Sequence, residues 1–200
     1  MQGMYRAGVT PQAKNVAVND RFGNTGIKKQ QGSTIIKYDT LPLDGTTSLR
    51  FFEQSSQRNF PLSNTGTDGN KLGVGSSMVV ERVYITLVQY DDATNSLTSI
   101  AVCDLTTTRG ILINNGELGF EIANSLVIKN VPVLSYTPQF NKTAENQLNN
   151  SFDFDTQIII PPLLEYVATL RLPNYTAFEG YYLRLTIEGS GAIIAPKTTF

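Results

Sequence analysis

Residues 78–90, MVVERVYITLVQY, are the stretch that most constrains what this chain can fold into. At the two-residue period of a strand, Val79, Val83, Ile85 and Leu87 fall on one side, with only Glu81 out of place. Val80, Tyr84 and Val88 fall on the other. A strand that is apolar on both sides has to be covered on both, which puts it in the middle of a sheet with further structure packed against it.

The rest of the sequence supplies such neighbours. STIIKY and SLRFFE are separated by the turn pair Asp44–Gly45. Leu72 and Val74 mark a short strand in an otherwise polar loop. GILINNGELGFEI reads as a hairpin, because Asn115–Gly116 suits the two positive φ angles of a type I′ turn. SLVIKNVPV, FDFDTQIII, EYVATLRL, YYLRLTIEG and GAIIAP follow. In EYVATLRL, Tyr166, Ala168, Leu170 and Leu172 alternate with Val167, Thr169 and Arg171, the pattern of a half-buried antiparallel strand. YTPQFNKTAENQLNN reads as a long polar connection with one helical turn at TAENQL. Gly73–Gly75 and Gly189–Gly191 read as turns or bulges. No segment sustains the 3.6-residue period of a helix over ten residues or more. About eight or nine strands and no helix predict an all-β fold: a single antiparallel β-sandwich, jelly-roll-like, over residues 34–200, with an immunoglobulin-like sandwich, short of its Cys and Trp landmarks, as the runner-up.

Residues 1–33 have no periodicity and are rich in Gly, Asn and Gln, the composition of an extended arm. Charge separates this arm from the body. Residues 1–37 carry Arg6, Lys14, Arg21, Lys28, Lys29 and Lys37 against one acid, Asp20, a net of +5, while the remainder nets −6. These six basic residues are the candidates for contacts to neighbouring subunits or, weakly, to nucleic acid, whose phosphates attract Lys and Arg without regard to sequence.

Catalytic and metal chemistry has little to build on. The chain contains no His, which removes the commonest general base and the usual nucleophilic triad. Cys103 is the only cysteine, so neither an internal disulfide nor a cysteine metal site can form. Asp153 with Asp155, or Glu117 with Glu121, are the carboxylate pairs a glycosidase would need, but alternation with apolar residues explains them as outward strand positions. Asp91–Asp92 and Asp68–Gly69–Asn70 have the composition of turns and lack calcium-loop spacing. The expectation is a protein that is not an enzyme and has no cofactor. No apolar run approaches the ~20 residues of a membrane helix. The first residues lack the apolar stretch of a secretion signal, so synthesis in a cytoplasm is expected.

Three features point to contact-making. Only 16% of residues are charged, against about 25% in ordinary globular proteins, and interface cores are depleted in charge. Pro161–Pro162 cannot continue a ladder and predicts a stiff corner, either an ordinary connection between strands or one that holds a loop against a neighbour. Phe51, Phe52 and Phe60 surround polar residues in RFFEQSSQRNFPL; core packing of the rings is the leading reading, and they are also candidate interface aromatics.

With a basic arm ahead of one sandwich, the chain resembles viral jelly-roll coat proteins. LRFFEQSSQRNFPLSN, KLGVGSSMVVERVYITLV and FDFDTQIIIPPLLEYVATLRLP are similar in style to structural proteins of bacteriophage virions. The resemblance spans most of residues 48–172. It implies a virion location and assembly with itself and with other virion proteins. The alternative is a glycan- or receptor-binding module of a phage tail or fibre, in which tyrosines would stack on the ligand.

Overall fold

The computed structural model describes residues 30–53, 59–65, 70–101, 107–133 and 150–194. They form two antiparallel sheets packed face to face. The strands are β1 (Gln30–Pro42), β2 (Ser48–Phe51), β3 (Ser76–Asp91), β4 (Ser96–Ala101), β5 (Glu117–Ile122), β6 (Ser125–Pro132), β7 (Asn150–Ile160), β8 (Tyr166–Arg171) and β9 (Tyr181–Ile194). One short helix, α1 (Thr108–Asn114), precedes β5. The larger sheet runs β1-β9-β3, with β4 and β7 sharing the far side of β3; the smaller runs β2-β8-β5-β6. The all-β sandwich expected from the alternation is therefore present, and β1 starts at Gln30.

Four antiparallel pairs nest one inside another along the chain: β1–β9, β2–β8, β3–β7 and β5–β6. The polypeptide is thus laid down as one long two-stranded ribbon folded across both sheets, with β4 added beside β3.

The core lies between the sheets. Val83, Ile85 and Leu87 of β3 and Leu183, Leu185 and Ile187 of β9 face Phe51, Phe120, Tyr166, Ala168 and Leu170 of the smaller sheet, all buried. Each such aliphatic or aromatic side chain contributes about 1.5–3 kcal/mol by leaving water. Tyr166 is the aromatic hub, 5.3 Å from the ring of Phe52 and 6.3 Å from that of Phe120.

β3 is central, as its two apolar sides require, but the faces differ from the simple alternation. A register shift between Val80 and Arg82, against both β7 and β9, makes Glu81 an extra, exposed residue. Upstream of this bulge the parity reverses. Met78 and Val80 join the core with Val83, Ile85 and Leu87, whereas Val79 is buried without belonging to that cluster. The misplaced Glu81 was thus the visible trace of a bulge.

Gly189 and Gly191 are not a turn: β9 runs unbroken through them. A Cβ on Gly189 would stand 2.0 Å from the Val79 carbonyl oxygen, and one on Gly191 would stand 2.2 Å from Ile35 Cδ1. Glycine is needed there for close approach. Tyr181–Ile194, read from sequence as two strands, are accordingly one.

The Asn115–Gly116 hairpin is also overturned. Residues 108–114 are helical, because the Thr107 hydroxyl caps the first turn by accepting from the Gly110 N–H at 3.0 Å, and Leu112 and Ile113 are buried. Asn115 sits at φ −86°, outside the left-handed region. The actual hairpin joins β5 to β6 through Ala123 (φ 49°) and Asn124 (φ 60°), the two left-handed residues of a type I′ turn. β4 carried no sequence expectation. Cys103, the TAENQL segment, Asp68 and Arg6, Lys14, Arg21, Lys28 and Lys29 lie outside the described residues.

Candidate contact site: an apolar corner

Between β7 and β8 the chain reads IIIPPLLEY. β7 ends at Ile160, and the two prolines that follow cannot donate to a ladder. Pro162 instead bridges Leu72 in parallel, and Lys71 bridges Glu165 in antiparallel. Leu163 N–H donates to the Leu72 carbonyl at 2.9 Å, Tyr166 N–H to the Asn70 carbonyl at 3.0 Å, and Ala123 N–H to the Glu165 carbonyl at 2.8 Å. A half-exposed Lys71–Glu165 ion pair at 3.1 Å adds at most about 1 kcal/mol. Ile160 and Leu72 are buried beneath. The stiff corner expected from Pro161–Pro162 is therefore braced by residues 70–72 and by the β5–β6 turn.

This bracing holds an unfavourable arrangement. Leu163 has φ 62°, a left-handed conformation that costs a non-glycine residue roughly 1–2 kcal/mol. Leu163 is 56% exposed, Leu164 41%, and Val74 on the adjoining turn 84%. Three large apolar side chains thus stand in water on two cross-linked loops, one of them on strained backbone. Strain of this kind persists where surrounding structure enforces it, and it concentrates at sites of function.

Beside the corner lies a polar cleft of about 340 Å³ lined by Arg50, Glu53, Asn70, Glu121 and Glu165. Arg50 and Glu53, three residues apart, pair on its wall at 2.6 Å. Glu121 is in this cleft and Glu117 is not, so this carboxylate pair does not share a site. Asp153 lies opposite Arg82 in the β3–β7 register. Among the described residues no group of three or more His, Cys, Asp or Glu side chains is placed to hold a metal ion. Asp91 is occupied within the β3–β4 turn, accepting from the Thr94 hydroxyl and from Ala93 N–H, which hold its carboxyl below the ordinary carboxylate range.

The outer face of the larger sheet carries Ile36 and the buried Val79 and Val88 together with a set of tyrosines. Tyr84 donates to Glu188 and receives a bond from Arg82. Tyr90 and Tyr182 pack edge to face at 5.3 Å beside Asp92. Arg184 lies 4.5 Å over the Tyr38 ring and donates to the Pro61 carbonyl at 2.7 Å, pinning the segment around residues 59–65 across this face. Partial burial lowers its pKa.

The candidate aromatics separate. Phe51 and Phe52 are buried, so core packing is their role and they offer no surface, while Phe60 is 78% exposed. Of the basic candidates, Lys37 is described: it lies within β1 opposite Ile187, half-buried in the sandwich. The corner itself was marked in sequence by Pro–Pro, but nothing in IIIPPLL revealed that Leu163 and Leu164 face water.

No family model matches this sequence, and no curated protein matches it. No described helix is long and apolar enough to cross a membrane.

Proposed function

We propose that this chain is a structural subunit of a virus or bacteriophage particle, a jelly-roll sandwich that works through contacts with copies of itself and with other particle proteins. The observation that carries the contact-making role is the apolar corner, with Leu163, Leu164 and Val74 exposed on braced, strained loops. A corner that served only to connect β7 to β8 would gain nothing from exposing them. The nested strand pairs support the jelly-roll reading, because a folded two-stranded ribbon of eight strands is how two Greek keys arise. Fold alone does not fix function, and the particle setting rests on the resemblance and on the charge-poor composition. The basic residues of the N-terminal arm extend the reading to contacts with neighbouring subunits and, weakly, with nucleic acid.

Negative-stain imaging of the purified chain tests this. Regular multi-subunit assemblies are expected. Removing residues 1–29, which spares β1, is expected to impair them while leaving the sandwich folded. Dispersed single subunits under all conditions would refute the reading. The alternative, a glycan- or receptor-binding module, is favoured by the tyrosines on the outer face of the larger sheet. Glycan-array binding abolished by Tyr182→Ala, from a chain that forms only small discrete oligomers, would replace the first reading with this one.

A further inference from the structure

The polar cleft beside the corner is built on the outer face of the smaller sheet. Glu121 of β5 lies directly opposite Val167 of β8, and Arg50 of β2 lies opposite Thr169, two residues further along the same face. Phe51, Phe120 and Ala168, one position away on each strand, belong to the core, so the cleft residues point outward. Glu165, just before β8, Asn124 of the β5–β6 turn and Asn70 complete the lining. The frame is held by the backbone: the Asn70 carbonyl accepts from Tyr166 N–H at 3.0 Å, and the Glu165 carbonyl from Ala123 N–H at 2.8 Å. A site framed in this way needs little ordering on binding.

Two observations separate this cleft from ordinary solvated surface. Three carboxylates, those of Glu53, Glu121 and Glu165, share it with one cation, Arg50. Arg50 pairs with Glu53, and Lys71 pairs with Glu165 from outside. Glu121 has neither an ion pair nor a side-chain hydrogen bond among the described residues. The second observation is independent of charge. Asn70 lines the cleft although it is only 3% exposed, and its Oδ1 accepts no hydrogen bond among the described residues. A buried acceptor left unmet is costly, and such groups are as a rule met by water or by a bound ligand.

Both groups are acceptors, and one carries a charge that no neighbour neutralises. The complementary ligand is therefore a hydrogen-bond donor and a cation. No group of three carboxylates here is close enough to hold a metal ion. Acceptors set apart around a wall suit instead an organic cation, whose N–H groups point in several directions. Val167 supplies an apolar strip on which an aliphatic stem can lie. We propose that the cleft binds an alkylguanidinium or alkylammonium group, with Glu121 and Asn70 Oδ1 accepting from its N–H donors and Val167 against its stem. A volume of about 340 Å³ accommodates such a head group with its stem. A free amine and an Arg or Lys side chain of a protein present the same chemistry. The site is independent of the assembly reading, because it concerns a ligand of the single chain.

Isothermal titration calorimetry of the full chain with butylguanidinium and butylammonium tests this, with butanol and glucose as neutral controls. Saturable one-to-one binding of a cation is expected, weakening as salt is raised, because the half-buried Glu121 is open to screening. Glu121→Gln keeps the shape and removes the charge, and should weaken binding by at least about tenfold. Asn70→Leu removes the buried acceptor and should weaken binding by about threefold or more. Its urea midpoint should stay equal or rise, whereas an amide with a merely structural role would lower it. Should Asn70→Leu fail to fold, Glu121→Gln carries the test. Blocked tripeptides with a central Arg or Lys separate the two sources. Binding at least as tight as that of the free cations identifies a protein side chain as the ligand; binding of the free cations alone identifies a small amine. Absence of saturable binding by about 10 mM, equal binding of butanol or glucose, or unchanged affinity in Glu121→Gln would overturn the proposal. A lowered midpoint with unchanged affinity in Asn70→Leu would overturn the role given to Asn70.

Discussion

Asp39 lies in β1, fully buried, on the core-facing side opposite Leu185. Its Oδ2 accepts from the Phe52 N–H at 2.7 Å and its Oδ1 from the Thr40 N–H at 3.0 Å. Phe52 has φ 65°, so this carboxylate anchors a strained residue where the chain leaves β2 for the next loop. Asp39→Ala leaves the buried Phe52 donor unsatisfied, which costs about 1–3 kcal/mol, with the upper half apt because the lost acceptor is a carboxylate. A loss of about 2–3 kcal/mol corresponds to a fall in Tm of roughly 4–12 °C for a domain of this size. Asp39→Asn keeps one oxygen that can accept from Phe52 and should lose less than half as much. Urea unfolding with unchanged m-value measures both. An Ala variant within about 0.5 kcal/mol of wild type, the scatter of ordinary surface substitutions, would show that the carboxylate is not the anchor.

Gly189→Ala places a methyl group against the Val79 carbonyl at 2.0 Å, so β3 and β9 must separate beside the bulge; soluble yield and urea midpoint should both fall, by about 3 kcal/mol or more, and a neutral outcome would refute the close approach. Burial, reinforced by the charge of Asp39, raises the Tyr166 phenol well above its ordinary pKa. Its neutral form is therefore favoured by the fold, a contribution present in full below pH about 10 and lost as pH rises through the folded value. Tyr166→Phe removes a buried hydroxyl with no hydrogen-bond partner among the described residues. The substitution should leave neutral-pH stability equal or higher by about 1 kcal/mol and move alkaline unfolding to higher pH; unfolding at an unchanged or lower pH would contradict this.

Much of the architecture was legible because alternation reports burial directly. β8 and the first half of β9 alternate cleanly, and the doubly apolar β3 could only be central. What escaped the sequence depends on contacts between distant segments. α1 is seven residues long, too short for a helical period to emerge, and is fixed by the Thr107 cap and by packing of Leu112 and Ile113. The bulge at Glu81 moved Val79 off the core face, which a strict two-residue period cannot express. Asn–Gly carried the stronger turn signal, yet Ala123–Asn124 makes the hairpin, because pairing of β5 with β8 and β6 decides where the chain reverses. For the contact site, Pro161–Pro162 marked the corner, but exposure of Leu163 and Leu164 follows from bracing by residues 70–72, far away in the sequence.

The central claim, that the braced corner is an assembly contact, is tested most directly by sedimentation velocity of the full chain over a concentration series, beside the Leu163→Asp, Leu164→Asp double variant. The account expects wild type to associate increasingly with concentration and the folded double variant to remain monomeric throughout. Identical distributions for the two proteins would contradict it.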